Sequence, residues 1–125
     1  MTSQAAQLQL PGLKGLKIAV TAGGSGIGLA ISRALKAQGA RLAICDVDAT
    51  ALDNAGTELG AEVACLADVS DPGQVQAFFA NIKTTMGGLD ALVNNAGIAG
   101  PTGGVEDIAP EDWARCIDVC LTGQF

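Results

Sequence analysis

Two groups of residues in this chain have the types and spacing to do chemistry together. The first is the run Thr21-Ala22-Gly23-Gly24-Ser25-Gly26-Ile27-Gly28, which lies between a short apolar stretch and a helical pattern. Glycines at such a place let the backbone turn sharply and approach a diphosphate. The diphosphate's charge would rest on the free N–H groups and positive dipole end of the next helix. Gly28 is the residue that would let that helix pack closely on the strand before it. The second is Asp46, which closes the next apolar stretch about 20 residues on, where a carboxylate can accept both hydroxyls of an adenosine ribose. The competing readings are a plain glycine-rich turn and, for Asp46, a solvated turn residue or a cap beside Asp48.

Further candidates follow along the chain. Asn94 and Asn95, with Ala96 and Gly97, end the fourth apolar stretch at the carboxyl edge of a sheet, where open α/β folds bind ligands. Their amides can satisfy loop backbone or a ribose, or the four residues simply turn. Asp68 has the same double reading, because Asp71 and Pro72 supply a helix start close by. The cysteines Cys45, Cys65, Cys116 and Cys120 form no C-x-x-C pair. Cys116 and Cys120 read as small core residues on the face of Trp113, not as metal ligands or nucleophiles. The chain has no His and no Tyr, which removes His-based triads, His-containing zinc sites and a tyrosine general acid from what it can do alone.

The elements that must position these residues alternate short apolar runs with amphipathic stretches, the pattern of a parallel sheet covered by helices. Strands are expected at 17–21, 42–45, 63–66 and 89–94. A first helix carries its apolar positions at Ile27, Ala30, Ile31, Ala34 and Leu35 and ends before Gly39. The second starts at Asp48 as N-cap, with Leu52, Ala55 and Leu59 inward. The third is capped by Asp71 with Pro72 in its first turn, and buries Val75, Phe78, Phe79, Ile82 and Met86 before Gly87 and Gly88. A last helix starts near Pro110, with Trp113, Cys116, Ile117, Cys120 and Leu121 on one face, and the sequence stops inside it.

At 125 residues, 49% hydrophobic and 16% charged, the chain has material for one core and one domain. Residues 1–13 are expected to be a flexible tail. The formal charge of −6 excludes nucleic acid and anionic lipid as partners, since both require clustered Lys and Arg. Residues 1–10 lack the basic and apolar regions of a signal peptide. The uncharged runs 18–32 and 91–105 are too short and too rich in Gly, Ser and Asn for a membrane span. A soluble, cytoplasmic protein with reduced thiols is expected.

Together these residues resemble the short-chain dehydrogenase/reductase family, whose loop reads T-G-x-x-x-G-x-G. Thr21, Ala22, Gly26 and Gly28 stand at the matching places, Asp68-Val69 looks like its adenine-contacting pair, and Asn94-Asn95-Ala96-Gly97 is its N-N-A-G signature. Trp113 with Leu121-Thr122-Gly123-Gln124-Phe125 is similar to its W…N-L-x-G-x-F helix. The resemblance runs from about Lys14 to Phe125 and implies that 14–125 is a nucleotide-binding portion, a truncated, doubly wound Rossmann-type sheet of about four strands in the order 3-2-1-4. It also implies NAD as cofactor, held by Gly23, Ser25, Gly26, Ile27, Gly28, Asp46, Asp68, Val69, Asn95, Ala96 and Gly97. Two positions depart from the pattern. Ala22 replaces a glycine, and Cys120 stands where the family has its catalytic asparagine. The family's Ser and Y-x-x-x-K pair have no counterpart here, so no catalytic residue is expected within the chain.

The function so implied is hydride transfer between a nicotinamide and a small-molecule alcohol or ketone, of which this chain carries the cofactor half. A homo-oligomer is expected when the fold is complete, and self-association or aggregation when it is not. The alternative is a non-catalytic dinucleotide-binding or interaction module completed by another chain. A methyltransferase would use a similar loop and acid, but leaves Asn94–Gly97 and the Trp113 helix without a purpose.

Overall fold

Lys17–Thr21 (β1) and Arg41–Asp46 (β2) are the two central strands because their side chains are apolar on both faces and buried almost throughout. Val63–Leu66 (β3) pairs with β2, and Ala91–Val93 (β4) pairs with β1, all in parallel, giving one four-stranded sheet in the order β3-β2-β1-β4. This is the expected doubly wound arrangement. The computed structural model describes residues 10–125. Of the tail expected over 1–13, residues 1–9 lie outside the described residues. At Leu10 the backbone N–H donates to Gln38 Oε1 at 2.9 Å.

The helices Gly26–Ala37 (α1) and Ala49–Leu59 (α2) cover one face of the sheet. There Ile18, Val20, Leu42 and Ile44 meet Leu52, Ala55 and Leu59. The helix Pro72–Met86 (α3) covers the other, where Ala19, Ala43, Cys45 and Val63 meet Phe78, Ile82 and Met86. Capping is as the residue types dictate. Asp48 accepts the Ala51 N–H, and Asp71 accepts those of Gly73 and Gln74, satisfying amides that have no intrahelical carbonyl. Gly39, Gly60 and Gly87 take positive φ past the three helix ends.

Three expectations need correction. In α1 the inward face is turned from the one expected: Gly28 and Ser32 are buried, Leu29, Ile31 and Leu35 are partly so, and Ile27 is 75% exposed. The cause is Gly28, which lies against the Ala22 carbonyl and the Asn95 amide with no space for a Cβ and so sets which side of the helix meets the sheet. Ser32 is tolerated inside because its hydroxyl donates to the Gly28 carbonyl at 2.8 Å.

β4 is shorter than the expected 89–94 and is a half-exposed edge, since among the described residues β1 is its only partner. The last helix, Pro110–Cys120 (α4), buries Val119 and leaves the expected core face exposed, with Trp113 at 60% and Leu121 at 65%. Cys116 and Cys120 are half-buried. Nor does the helix run to the last residue: beyond Cys120 the backbone tightens into a 3₁₀ turn over Thr122–Gln124, where Gly123 passes against Val69.

Candidate functional site

The carboxyl ends of β1, β2, β3 and β4 converge on one cleft. Its walls are the loop at Ala22, Asp46 at the end of β2 with Val47 after it, Asp68 and Val69 after β3, Ala96 to Ile98 after β4, and Arg115 and Val119 of α4. This is the edge of an open parallel sheet at which the strand order reverses, between β1 and β4.

The loop is built around close approaches. A Cβ on Gly23 would stand 2.8 Å from Ile44 Cγ2, and one on Gly24 2.8 Å from Asp46 Oδ2. Gly26 opens α1 at φ +53°, with clear space where a side chain would be. Ser25 is the N-cap residue of α1, but its side chain makes no capping bond, in contrast with Asp48 and Asp71. The first turn of α1 contains no acid. The dipole end of α1 therefore has no side-chain cap from Ser25 and no acid in its first turn. Ala22 takes φ +51°, the one non-glycine residue in that region among the described residues, so the position does demand the conformation for which glycine is suited.

Asp46 is buried, and both of its carboxylate oxygens are engaged: Oδ2 accepts the Gly24 N–H at 2.9 Å and Oδ1 the Asp48 N–H at 3.1 Å. It is neither a helix cap nor a solvated turn residue. Asp68 also is no cap, since Asp71 fills that role. Its Oδ1 accepts the Ser70 N–H and hydroxyl at 2.9 and 2.7 Å, and its Oδ2 accepts Arg115 Nη2 at 2.8 Å. Partial burial pushes the Asp68 carboxyl up, but the Ser70 bonds and the Arg115 guanidinium outweigh it and leave the group below the ordinary carboxylate range.

The turn after β4 is tied to the loop after β1 through Thr21. Its Oγ1 accepts the N–H groups of Asn95 and Ala96, both at 3.0 Å, while Asn95 Nδ2 donates to the Thr21 and Ala22 carbonyls at 3.1 and 3.3 Å. Of the two duties open to that amide, loop backbone is the one the structure shows. Asn94 Nδ2 donates to the Gln124 carbonyl at 3.3 Å. Cys120 Sγ holds the next residue of the turn, accepting the Ile98 N–H and donating to the Ile98 carbonyl, each at 3.3 Å. The Cys45 thiol is pushed up to about 11, chiefly by burial, which suits an inert core residue. Among the described residues no cluster of His, Cys, Asp or Glu could hold a metal, and no helix is long and apolar enough to cross a membrane.

Of the expected site residues, Asp46, Asp68, Val69, Ala96 and Gly97 line this cleft together with Ala22 of the loop, whereas Gly23, Ser25, Gly26, Ile27 and Gly28 do not line it, and Asn95 ties the turn after β4 to the loop through the Thr21 and Ala22 carbonyls. Sequence reasoning missed Arg115, Ser70 and the Thr21 hydroxyl. The one signal for Arg115 is that it is the sole Lys or Arg after Lys83, in an otherwise acidic segment.

Comparison with known proteins agrees with this geometry. The sequence model of the short chain dehydrogenases matches residues 17–125. The chain is 39% identical over 117 residues to 2-(S)-hydroxypropyl-CoM dehydrogenase 3 of Xanthobacter autotrophicus, covering 90% of this chain and 46% of that one. Among solved structures it is similar to a 3-ketoacyl-(acyl-carrier-protein) reductase from Brucella melitensis complexed with NADH, with TM-score 0.85 and 32% identity over 89% of this chain and 46% of that one. It is similar too to L-sorbose reductase from Gluconobacter frateurii complexed with NADPH and L-sorbose, with TM-score 0.83 and 29% identity over 89% of this chain and 44% of that one. The chain therefore spans less than half the length of each of these three proteins.

Proposed function

Because this chain belongs to the short chain dehydrogenase family, we propose that it is the dinucleotide-binding portion, residues 14–125, of an oxidoreductase that uses NAD. The glycine loop and the first amides of α1 hold the diphosphate, Asp46 the adenosine ribose, and Asp68 with Val69 the adenine. Ala96 and Gly97 line the far side of the cleft, and Asn95 keeps that side joined to the loop. When bound, the cofactor supplies or accepts a hydride at a small-molecule alcohol or ketone. The groups that move the proton and shape the substrate pocket come from residues outside these 125, since the chain contains no Tyr. The working protein is a homo-oligomer of the cytoplasm, a compartment suited to its free cysteines.

The observation that carries the choice of NAD is the buried Asp46 carboxylate, held by the Gly24 and Asp48 amides. A carboxylate pairs with a 2′-hydroxyl and repels a 2′-phosphate, and no Lys or Arg lies between Ala22 and Gly28 to reverse that preference. The two similar structures contain NADH and NADPH respectively, so the choice rests on Asp46 alone. The test is a titration of NADH and NADPH against the chain by cofactor fluorescence. NADH is expected to bind at least about tenfold more tightly, a difference of about 1.4 kcal/mol. Tighter NADPH binding overturns the assignment, and binding of neither overturns the functional reading.

A further inference from the structure

Arg115 belongs to α4, yet its guanidinium reaches Asp68 and Ser70 on the β3 side of the cleft. Nη2 donates to Asp68 Oδ2 at 2.8 Å and Nη1 donates to Ser70 Oγ. Ser70 in turn gives both its N–H and its hydroxyl to Asp68 Oδ1. The side chains are 48% exposed for Arg115 and 27% for Asp68, and an ion pair that wet adds little to folding. What the arrangement does achieve is orientation. An ionised carboxylate offers about four acceptor directions, and the Ser70 amide, the Ser70 hydroxyl and Arg115 fill three. The remaining direction is set, at the rim of a cleft, by a planar fork that a lysine could not reproduce.

Resting on the functional reading above, we propose that Arg115 is a positioning residue. Acting on Asp68 directly and through Ser70, it aims the carboxylate at the exocyclic amino group of adenine, so that the cleft selects an aminopurine dinucleotide over an oxopurine one. The adenine amino group is a hydrogen-bond donor. Hypoxanthine presents an oxygen at that place, which the Asp68 carboxylate repels.

The test compares NADH with reduced nicotinamide hypoxanthine dinucleotide, binding each to the 125-residue chain and following cofactor fluorescence at submicromolar protein. The unaltered chain is expected to favour NADH about tenfold, the effect of one hydrogen bond to a charged acceptor. Arg115→Met should bring the ratio within about twofold, and Arg115→Lys should restore part of it. Ser70→Ala should lower it as well. If Arg115→Met weakens both ligands equally and keeps their ratio, Arg115 merely docks α4 and the proposal falls. If the unaltered chain binds both equally, NAD binding stands, but the Asp68 contact and the role of Arg115 do not. Binding of neither ligand removes the functional reading and this inference with it. Should circular dichroism show Arg115→Met unfolded, Arg115→Lys and Ser70→Ala decide: ratios unchanged in both overturn the proposal.

Discussion

The Asp46 carboxylate accepts the Gly24 N–H at 2.9 Å, joining the end of β2 to the glycine loop that follows β1. The acid therefore shapes the loop. Asp46→Ala is expected to cost about 1–3 kcal/mol of stability, the penalty for a buried donor left without its acceptor, and to narrow the gap between NADH and NADPH. Urea unfolding and the two cofactor titrations measure these effects separately. A variant of unchanged stability would show that the loop keeps its shape without Asp46.

Ala22 at φ +51° has its Cβ in a region disfavoured for side chains. Ala22→Gly removes that strain but gives the unfolded chain more freedom, and the balance is an expected gain of about 0.5–1 kcal/mol. The midpoint of urea unfolding should rise at constant slope. A fall in the midpoint would mean that the alanine methyl contributes packing outweighing its strain.

Because Asp68 in the folded chain lies below the ordinary carboxylate range, the folded state holds its proton less readily than the unfolded one. Its contribution to stability is present above the unfolded value, about 3.9, and is lost as pH falls through the lower folded value. The Asp68→Asn variant should thus be less stable than the unaltered chain at pH 7, with the gap closing below about pH 4. Thermal melts across that range provide the check. A gap independent of pH would assign the difference to lost packing.

Trp113 and Ile117 on α4 and Leu121 just past its end recur every four residues and are exposed, as is Leu92 on the edge strand β4. Burying one such side chain contributes about 1.5–3 kcal/mol, and an open apolar sheet edge recruits other chains. The 125-residue chain by itself is expected to elute above monomer size at micromolar concentration, and Trp113→Glu with Leu121→Glu should shift it toward the monomer. The same chain should show no NAD reduction with a panel of secondary alcohols. A monodisperse, cooperatively melting monomer would contradict the first expectation, and turnover without a tyrosine the second.

Local chemistry was legible in the residues themselves. Asp48 and Asp71 are caps because a short carboxylate satisfies free amides in the first turn of a helix, and Gly39, Gly60 and Gly87 end helices because positive φ there favours the absence of a Cβ. Unbroken apolar runs marked β1 and β2 as the doubly covered centre of the sheet, and the spacing from the glycine loop to Asp46 placed both on one edge. Which face of a helix turns inward was not legible where apolar residues were few or nearly continuous. The α1 pattern fits more than one face, and the choice fell to the contact of Gly28 with the Ala22 carbonyl across the loop.

Long-range pairs were equally out of reach. Thr21 with Asn95 and Ala96, and Asp68 with Arg115, are separated by scores of residues, and side chains that meet only after β4 and α4 have packed leave no periodic trace. The residue types, then, determined that a parallel sheet covered by helices would form and where its glycine loop and acid would lie. Tertiary packing decided which polar groups are tied to one another and which are left to face a ligand, because that depends on distances between elements far apart in the chain.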